Sequence, residues 1–114
     1  MNTRKDPKEI AEAMISRSVC SVQVGAVLVD VAGNVFSWAW NTVGPDGLGL
    51  HAEIHCIKRA NKHRLEGSTI LVASQRRRNH KTICSKPCVA CQYLLDKYDI
   101  HCLFRDADSV WKGV

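Results

Sequence analysis

Apolar residues recur along the chain with two different periods, which predicts an alternation of helices and strands. The first helical stretch is Ile10 to Ile15, where apolar residues lie three and four positions apart. The segment Asp6-Pro7-Lys8-Glu9 precedes it and is typical of a capped helix start. We expect this helix to end near Ser18.

The next apolar segments have the pattern of strands. Val22 to Asp30 is β-branched and apolar on both faces, as in the centre of a sheet. Val35 to Trp40 follows after a turn at residues 32–34, so the two segments predict a hairpin. Asn41 to Leu50 contains three glycines and one proline, which predicts a loop.

Two further helices and three further strands are predicted in the rest of the chain. A helix from His51 to about Arg64 stops before Gly67, since glycine is common just past a helix end. The remaining elements are, in order, a strand from Ser68 to Ser74, a basic loop from Arg76 to Lys81, a helix opened by Pro87 with Val89, Leu94 and Leu95 on its inner face, a strand from Ile100 to Phe104, and a short strand containing Trp111.

This order of elements predicts a three-layer α/β/α fold with a mixed sheet of about five strands. In such a fold the helix starts lie at the edge where strands carry their carboxyl ends, and ligands bind there. His51 and Cys88 each stand at a predicted helix start. We therefore expect the segments H-A-E-I-H and P-C-V-A-C to meet at that edge.

Length and composition limit the number of domains, the membrane contacts and the location that we expect. The chain has 114 residues with 46% hydrophobic content, which fits one domain over residues 1–114. No apolar run reaches the roughly 18 residues of a membrane span, so no membrane partner is predicted. The N-terminus carries no apolar signal-peptide core, which makes the cytoplasm the expected location.

Six cysteines are present, and their spacing favours a metal or redox role for one pair. In a chain of this size without an export signal, C-x-x-C is more typical of metal binding or redox chemistry than of a structural disulfide. Cys20, Cys56 and Cys102 stand in apolar patterns and are predicted to be small buried side chains.

Positive charge is concentrated in one part of the chain. Of sixteen Lys and Arg, nine lie in residues 57–86, together with only one of the eleven acidic residues. This excess favours an anionic partner, either a nucleotide phosphate or a nucleic acid, although a solvated surface would have the same composition. Aromatic residues are not interleaved with Arg76-Arg77-Arg78, which weakens the interpretation as a single-strand binder.

The residue types at the two helix starts suit a catalytic zinc ion. Cys88 and Cys91 are spaced so that both sulfurs can face one ion, and a helix N-terminus favours the thiolate. His51 can supply a third ligand, which leaves a fourth position open, as in catalytic zinc sites. Glu53 lies two residues further on and can transfer protons beside that position.

These motifs match a known signature. H-x-E followed by P-C-x-x-C is typical of zinc nucleobase deaminases, in which the Glu is not a ligand. The chain has His51-Ala52-Glu53 and Pro87-Cys88-Val89-Ala90-Cys91, and V-G-A-V-L-V-D and W-A-W-N precede them in the family order. From about Val24 to Phe104, the chain resembles the cytidine deaminase-like superfamily, and most closely its deoxycytidylate and phage-type branch.

The resemblance implies roles for individual residues. It implies that His51, Cys88 and Cys91 bind Zn²⁺ and that Glu53 is the general acid and base. It also implies that Asn41 contacts the substrate. Backbone groups near Ala52 and at Ser85 and Lys86 would contact the edge of the base. Since superfamily members often assemble as dimers or larger, it further implies a homo-oligomer.

Other interpretations of the same residues stay open. Cys84 or His55 could close the zinc site as a structural one, C-x-x-C could be a redox pair, and the chain could be a zinc-stabilised binding module without activity. A zinc protease is disfavoured, because Glu53 follows His51 by two residues instead of one. Asn41 could serve only to end its strand.

The predicted activity is hydrolytic deamination of a cytosine nucleoside or nucleotide, of the deoxycytidine or deoxycytidylate type. A polynucleotide deaminase acting on cytosine or adenine in RNA or single-stranded DNA is the alternative. Compared with the larger deoxycytidylate deaminases, the chain is short and has no obvious insertion that could hold an allosteric nucleotide site. Its connection between the third strand and the cysteine pair is longer and more basic than in tRNA adenosine deaminases. Both features leave the substrate undecided.

Overall fold

The computed structural model describes residues 6–43 and 49–114 and shows a mixed sheet with helices on both faces. In chain order the elements are α1 (Pro7–Ile15), β1 (Val22–Val29), β2 (Val35–Trp40), β3 (Thr42–Val43), β4 (Gly49–Leu50), α2 (Ala52–Arg59), a 3₁₀ helix (Lys62–Arg64), β5 (Thr69–Arg76), β6 (Thr82–Ile83), α3 (Val89–Lys97), β7 (His101–Arg105) and β8 (Trp111–Gly113). The predicted elements are therefore present, and the short strands β3, β4 and β6 are additional.

The main sheet has the strand order β2-β1-β5-β7-β8, with β6 paired to β5. β1 is antiparallel to both β2 and β5, β5 is parallel to β7, and β7 is antiparallel to β8. The helix α3 makes the crossover between the two parallel strands. This topology confirms the predicted α/β class with a mixed sheet, and the short strand containing Trp111 is β8.

Two hydrophobic clusters separate the layers. On one face of the sheet α1 packs on β1 and β5 through Ala11, Ile15, Val27, Leu71 and Ala73. The cluster on the other face is larger and includes Cys56 and Ile57 of α2 and Leu95 of α3. One helix on one face and two on the other give the three predicted layers.

Gly25 sets the distance between α1 and the sheet. A Cβ atom at this position would lie 2.2 Å from the carbonyl oxygen of Ala11 and 2.8 Å from the backbone nitrogen of Ile15. Both contacts are with backbone, which cannot rotate away. Only glycine lets the helix backbone approach the strand this closely.

The helix α3 begins at Val89 with Cys88 as its N-cap, two residues after the predicted start at Pro87. Three predicted ends were also wrong by two or more residues. The helix α1 ends at Ile15 with Ser16 as its C-cap, not near Ser18. The helix α2 ends at Arg59, because the side chain of Asn61 accepts the His63 N–H and starts a separate 3₁₀ turn instead. The third strand continues past Ser74 to Arg76, where β5 still pairs with β1.

The predicted inner face of α3 was wrong at its first residue. Val89 is 89% exposed, whereas Cys91 and Leu95 are buried. Residues two apart on a helix point in nearly opposite directions, at about 200°. A helix that buries Cys91 therefore turns Val89 toward solvent. Leu94 and Leu95 lie on the inner face as predicted.

The predicted loop from Asn41 to Leu50 contains a short antiparallel pair, β3 with β4. Residues 44–48 lie outside the described part of the chain. Cys56 and Cys102 are buried as predicted, but Cys20 is only half-buried. No helix among the described residues is long and apolar enough to cross a membrane.

Candidate metal centre and cleft

The starts of α2 and α3 bring the predicted metal ligands to one place. His51 is the N-cap residue of α2 and Cys88 is the N-cap residue of α3, and neither side chain caps its own helix. Their side chains are therefore free to bind something else. Cys91 lies in the first turn of α3 and is buried.

The three side chains lie at distances that suit a shared ion. His51 Nδ1 is 3.2 Å from Cys91 Sγ and 3.7 Å from Cys88 Sγ. All three ligand atoms lie within 4.8 Å of one another. In a tetrahedral zinc site, bonds of about 2.0–2.3 Å place neighbouring ligand atoms about 3.3–3.8 Å apart. The mixed nitrogen and sulfur set therefore fits zinc.

Cys84 and His55 do not belong to this group of ligand atoms. The ring nitrogen Nδ1 of His55 is instead 2.9 Å from the backbone oxygen of Trp40. Cys84 is exposed and lines the neighbouring cleft. Within residues 6–43 and 49–114, the group thus offers three protein ligands, which is the number typical of a catalytic zinc site.

Glu53 is buried beside these ligands, with 6% of its surface exposed. Burial raises the pKa of its carboxyl group above the ordinary value. Burial also raises the pKa of the Cys91 thiol, and a bound divalent cation would oppose this effect by stabilising the thiolate. Glu53 is not a member of the ligand group, as the H-x-E signature requires.

A cleft of about 320 Å³ opens in front of the ligands. This volume suits a small molecule such as a nucleoside. Asn41, Ala52, Glu53, Ser85 and Lys86, the five predicted catalytic and substrate-binding residues, all line it. The other lining residues are Cys20, Val22, Val24, Thr42, His51, Ser74, Ile83, Cys84 and Cys88.

Asn41 lies at the end of β2, where its side chain is hydrogen-bonded to neighbouring segments. Its Oδ1 atom accepts bonds from the hydroxyl of Ser18 at 2.6 Å and from the backbone N–H of Val24 at 2.8 Å. Its Nδ2 atom donates to the carbonyl of Val22 at 2.7 Å. The amide therefore has a fixed orientation at the cleft wall.

Ser85 and its neighbour Ser74 form a buried polar pair in the cleft. Their hydroxyl oxygens are 2.7 Å apart, and both residues are at least nine-tenths buried. The backbone N–H of Ser85 donates to the carbonyl of Arg105. The N–H of Ser85 is therefore already engaged. The groups left for the predicted contact with the base are the Ser85 carbonyl and hydroxyl and the Lys86 backbone.

Sequence reasoning missed Ser18, Ser74 and Thr42 as residues at or beside the cleft. A signal exists for Ser74: it is a small polar residue near the carboxyl end of an apolar strand, where such folds bind ligands. Ser18 and Thr42 lie in segments without a comparable pattern. Their position follows only from the packing of α1 and the β3–β4 pair.

The basic segment forms a hairpin next to the cleft. Arg76 ends β5, β6 pairs back onto β5, and Arg76 to Lys81 is exposed between them. Arg77 is tied to the segment before β1, since its backbone N–H donates to Ser21 and its guanidinium donates to the carbonyl of Val19. Arg77 is thus engaged within the molecule.

Comparison with known proteins agrees with this fold and site. The model of the family described as cytidine and deoxycytidylate deaminase zinc-binding region matches residues 1–104. The chain belongs to this family, whose members are zinc-dependent hydrolytic deaminases. Zn²⁺ is therefore the cofactor, and the His51, Cys88 and Cys91 cluster fits it.

Solved structures of cytidine deaminases share the fold. The enzyme from Burkholderia pseudomallei superposes with a TM-score of 0.74 at 19% identity, over 95% of this chain and 88% of that chain. The enzyme from Mycobacterium leprae has a TM-score of 0.60 at 18% identity, over 93% and 88%. The enzyme from Mycobacterium tuberculosis has a TM-score of 0.57 at 17% identity, over 83% and 79%. A comparison with curated protein sequences finds no match.

Proposed function

We propose that this chain deaminates a cytosine nucleoside or nucleotide of the deoxycytidine or deoxycytidylate type by hydrolysis. One observation carries the proposal. Three zinc-type ligand atoms lie within 4.8 Å of one another, next to a buried carboxyl group, in a cleft of nucleoside size. The ligands of the proposed site are His51, Cys88 and Cys91.

The chemistry divides between the metal and the chain. Zinc, when bound, supplies the Lewis acidity that makes water nucleophilic near neutral pH. Glu53 takes a proton from the attacking water as the water oxygen bonds to the amine-bearing ring carbon. Glu53 then delivers this proton to the ring nitrogen, takes the second proton from the hydroxyl now on the ring carbon and delivers it to the leaving amine. The C–N bond breaks, and ammonia and the uracil product leave.

The cleft walls hold the substrate for this step. Ala52 is the first residue of α2, so its backbone N–H has no partner within the helix and can donate to the base. The Ser85 carbonyl and hydroxyl and the Lys86 backbone contact the base edge from the opposite side. Asn41 contacts the sugar or its phosphate.

Ammonia release from the zinc-loaded protein tests the proposal. The substrates are cytidine, deoxycytidine, their monophosphates, the adenine and guanine counterparts, and short single-stranded RNA and DNA. We expect turnover of a cytosine monomer. Turnover of adenine or guanine compounds alone would contradict the choice of base.

A polynucleotide substrate is the second candidate, because one observation favours it. Residues 67–95 contain five Lys and Arg and no acidic residue, and four of these five cations lie on the hairpin beside the cleft. No Phe, Tyr or Trp side chain among the described residues lines the cleft, however, so the usual stacking contacts with neighbouring bases are missing there. If the oligonucleotide is the substrate, its KM should rise steeply with added salt through counterion release.

A further inference from the structure

We infer that Ser18 is a positioning residue that fixes Asn41 as a hydrogen-bond donor toward the substrate. The inference rests on the proposed function, because it concerns the substrate contact of the same cleft. Ser18 lies between α1 and β1, far from Asn41 in sequence, and is 2% exposed. Its hydroxyl meets Asn41 Oδ1 at 2.6 Å.

The neighbours of Asn41 decide which way its amide points. The backbone N–H of Val24 can only donate, so the atom that it meets at 2.8 Å is the oxygen Oδ1. The carbonyl of Val22 can only accept, so the atom at 2.7 Å is the nitrogen Nδ2. In a flipped amide, Nδ2 would face the N–H of Val24, donor against donor. Oδ1 would face the carbonyl of Val22, acceptor against acceptor.

These bonds use nearly all of the hydrogen-bonding capacity of the Asn41 amide. Both lone pairs of Oδ1 are engaged, by Ser18 and Val24. One of the two Nδ2 hydrogens is engaged by Val22. The other meets no acceptor among the described residues, and Asn41 lines the cleft. Asn41 can therefore offer a substrate one N–H donor and no acceptor.

Ser18 is itself held in place. Its hydroxyl accepts a bond from the backbone N–H of Cys20 at 3.2 Å, so its own hydrogen is directed to Asn41. Its carbonyl accepts from Nε2 of the buried residue Gln23 at 2.7 Å. Gln23 accepts in turn from Gln75 on β5. The hydroxyl of Ser18 is thus oriented by the Cys20 N–H, and its backbone is held by β1 and, through Gln23, by β5.

A donor-only Asn41 selects a chemical feature of the substrate. The substrate must present an acceptor at this wall of the cleft. Because the proposed function places the base edge against Ala52, Ser85 and Lys86, that acceptor is a hydroxyl oxygen of the sugar or an oxygen of its phosphate. A free base carries neither group. Ser18 therefore acts on recognition of the sugar or phosphate and leaves the chemical step at Glu53 unchanged.

The test compares Ser18→Ala with Ser18→Thr and with the matched control Ser16→Ala. Ser16 is exposed, and its one hydroxyl bond within residues 6–43 and 49–114 is to the carbonyl of Ala13 in the helix that it caps. For the sugar-bearing substrate we expect Ser18→Ala to raise KM about 3- to 10-fold with kcat within about twofold. Ser18→Thr keeps the donor and should stay near wild type, as should Ser16→Ala.

The substrate series separates positioning from a general loss of structure. Cytosine lacks the sugar with all its oxygens, and 2′,3′-dideoxycytidine lacks the 2′- and 3′-hydroxyls. Deoxycytidine and deoxycytidylate differ by the phosphate, so they distinguish a contact with a hydroxyl from a contact with a phosphate. The increase in KM should appear only for the compound whose oxygen meets Asn41. An equal loss on every compound, including cytosine, or an unchanged KM for all of them, would overturn the inference.

If no monomer is turned over, the proposed function is refuted. A spectroscopic measurement can still decide whether Ser18 positions Asn41. In a ¹⁵N-labelled sample, the two side-chain amide protons of Asn41 should have separate resonances. Ser18→Ala should shift and broaden this pair, while Ser16→Ala leaves it unchanged. An unaltered Asn41 pair in Ser18→Ala would contradict the positioning role.

Discussion

The two walls of the cleft are held together in different ways. The metal wall consists of His51, Glu53 and Cys88 at the starts of α2 and α3, with Cys91 behind them. The strand wall consists of Asn41, Ser74 and Ser85, which side-chain hydrogen bonds hold in place. Helix backbone positions the first wall, and a polar network positions the second.

This difference has consequences for the effect of substitutions. In the proposed function each side chain of the metal wall has a separate chemical task, so its loss should stop the reaction without altering the fold. On the strand wall each hydrogen bond contributes about 0.5–1.5 kcal/mol and several share one task. Losses there should be graded and should appear in substrate affinity and stability.

Loss of a ligand should have the largest effect. Cys88→Ser removes a thiolate but places a favoured N-cap residue at the start of α3, so folding should persist. We expect zinc content to fall from stoichiometric to near zero after brief exposure to a chelator, and ammonia release to disappear. Cys84→Ser is the matched control, since Cys84 lines the same cleft outside the ligand group, and it should retain zinc. Zinc loss in the control would instead support a structural site closed by Cys84.

Glu53→Gln should come next, because it removes the proposed proton carrier and keeps the shape of the side chain. We expect the kcat for ammonia release to fall by about 10²–10⁴-fold. Zinc content, measured by metal analysis, and the far-UV circular dichroism should match wild type. Activity within a few-fold of wild type would show that another group moves the proton.

Arg105→Met should have an intermediate effect that is confined to the strand wall. Arg105 is 7% exposed, bonds to Glu12 of α1 at 2.5 Å and donates to the carbonyl of Ser74 at 3.1 Å. Its loss removes both bonds, and the one to the buried Ser74 cannot be replaced by solvent as readily as the one to the partly exposed Glu12. The free energy of unfolding should fall by about 1–3 kcal/mol in urea titration.

Arg64→Met is the control for this change, because Arg64 pairs with Asp30 at the exposed surface. It should cost less than about 1 kcal/mol. Arg105→Met should also raise KM while zinc content stays constant. Equal stability losses in the two variants would show that the buried network does not support the strand wall.

The smallest effect is expected outside both walls. A hydrogen bond from Arg64 holds the pKa of the Asp30 carboxyl below its usual value. The stabilisation that this hydrogen bond provides is fully present above the pKa of Asp30 in the unfolded chain, about 3.9. It is lost as pH falls through the lower pKa of Asp30 in the folded protein. Asp30→Asn should therefore be less stable than wild type at pH 6, and the difference should shrink below pH of about 4. A difference in unfolding free energy that stays constant with pH would contradict this origin.

The metal wall could be predicted from sequence because its spacing is local. Glu53 lies two positions after His51, and Cys91 lies three positions after Cys88, so helix geometry alone places each pair. The meeting of the two pairs followed from the order of strands and helices. Their catalytic roles stay predictions until the variants above are measured.

The strand wall could not be predicted in the same way. The bond between Ser18 and Asn41 joins residues 23 positions apart, and no periodicity marks such a contact. The pairing of β6 with β5 rests on two residues of each strand, too few for a strand pattern. The engagement of Arg77 with Val19 also depends on tertiary packing, so the three arginines looked equivalent in the sequence.

The close contact between α1 and β1 bears on how a mutational scan of this protein should be interpreted. Any side chain at position 25 would collide with the backbone of Ala11 and Ile15, so Gly25 should tolerate replacement as poorly as a zinc ligand does. Gly25 does not line the cleft. Poor growth of Gly25 variants would reflect a smaller amount of folded protein. A scan that scores growth alone would therefore rank this packing position among the catalytic ones.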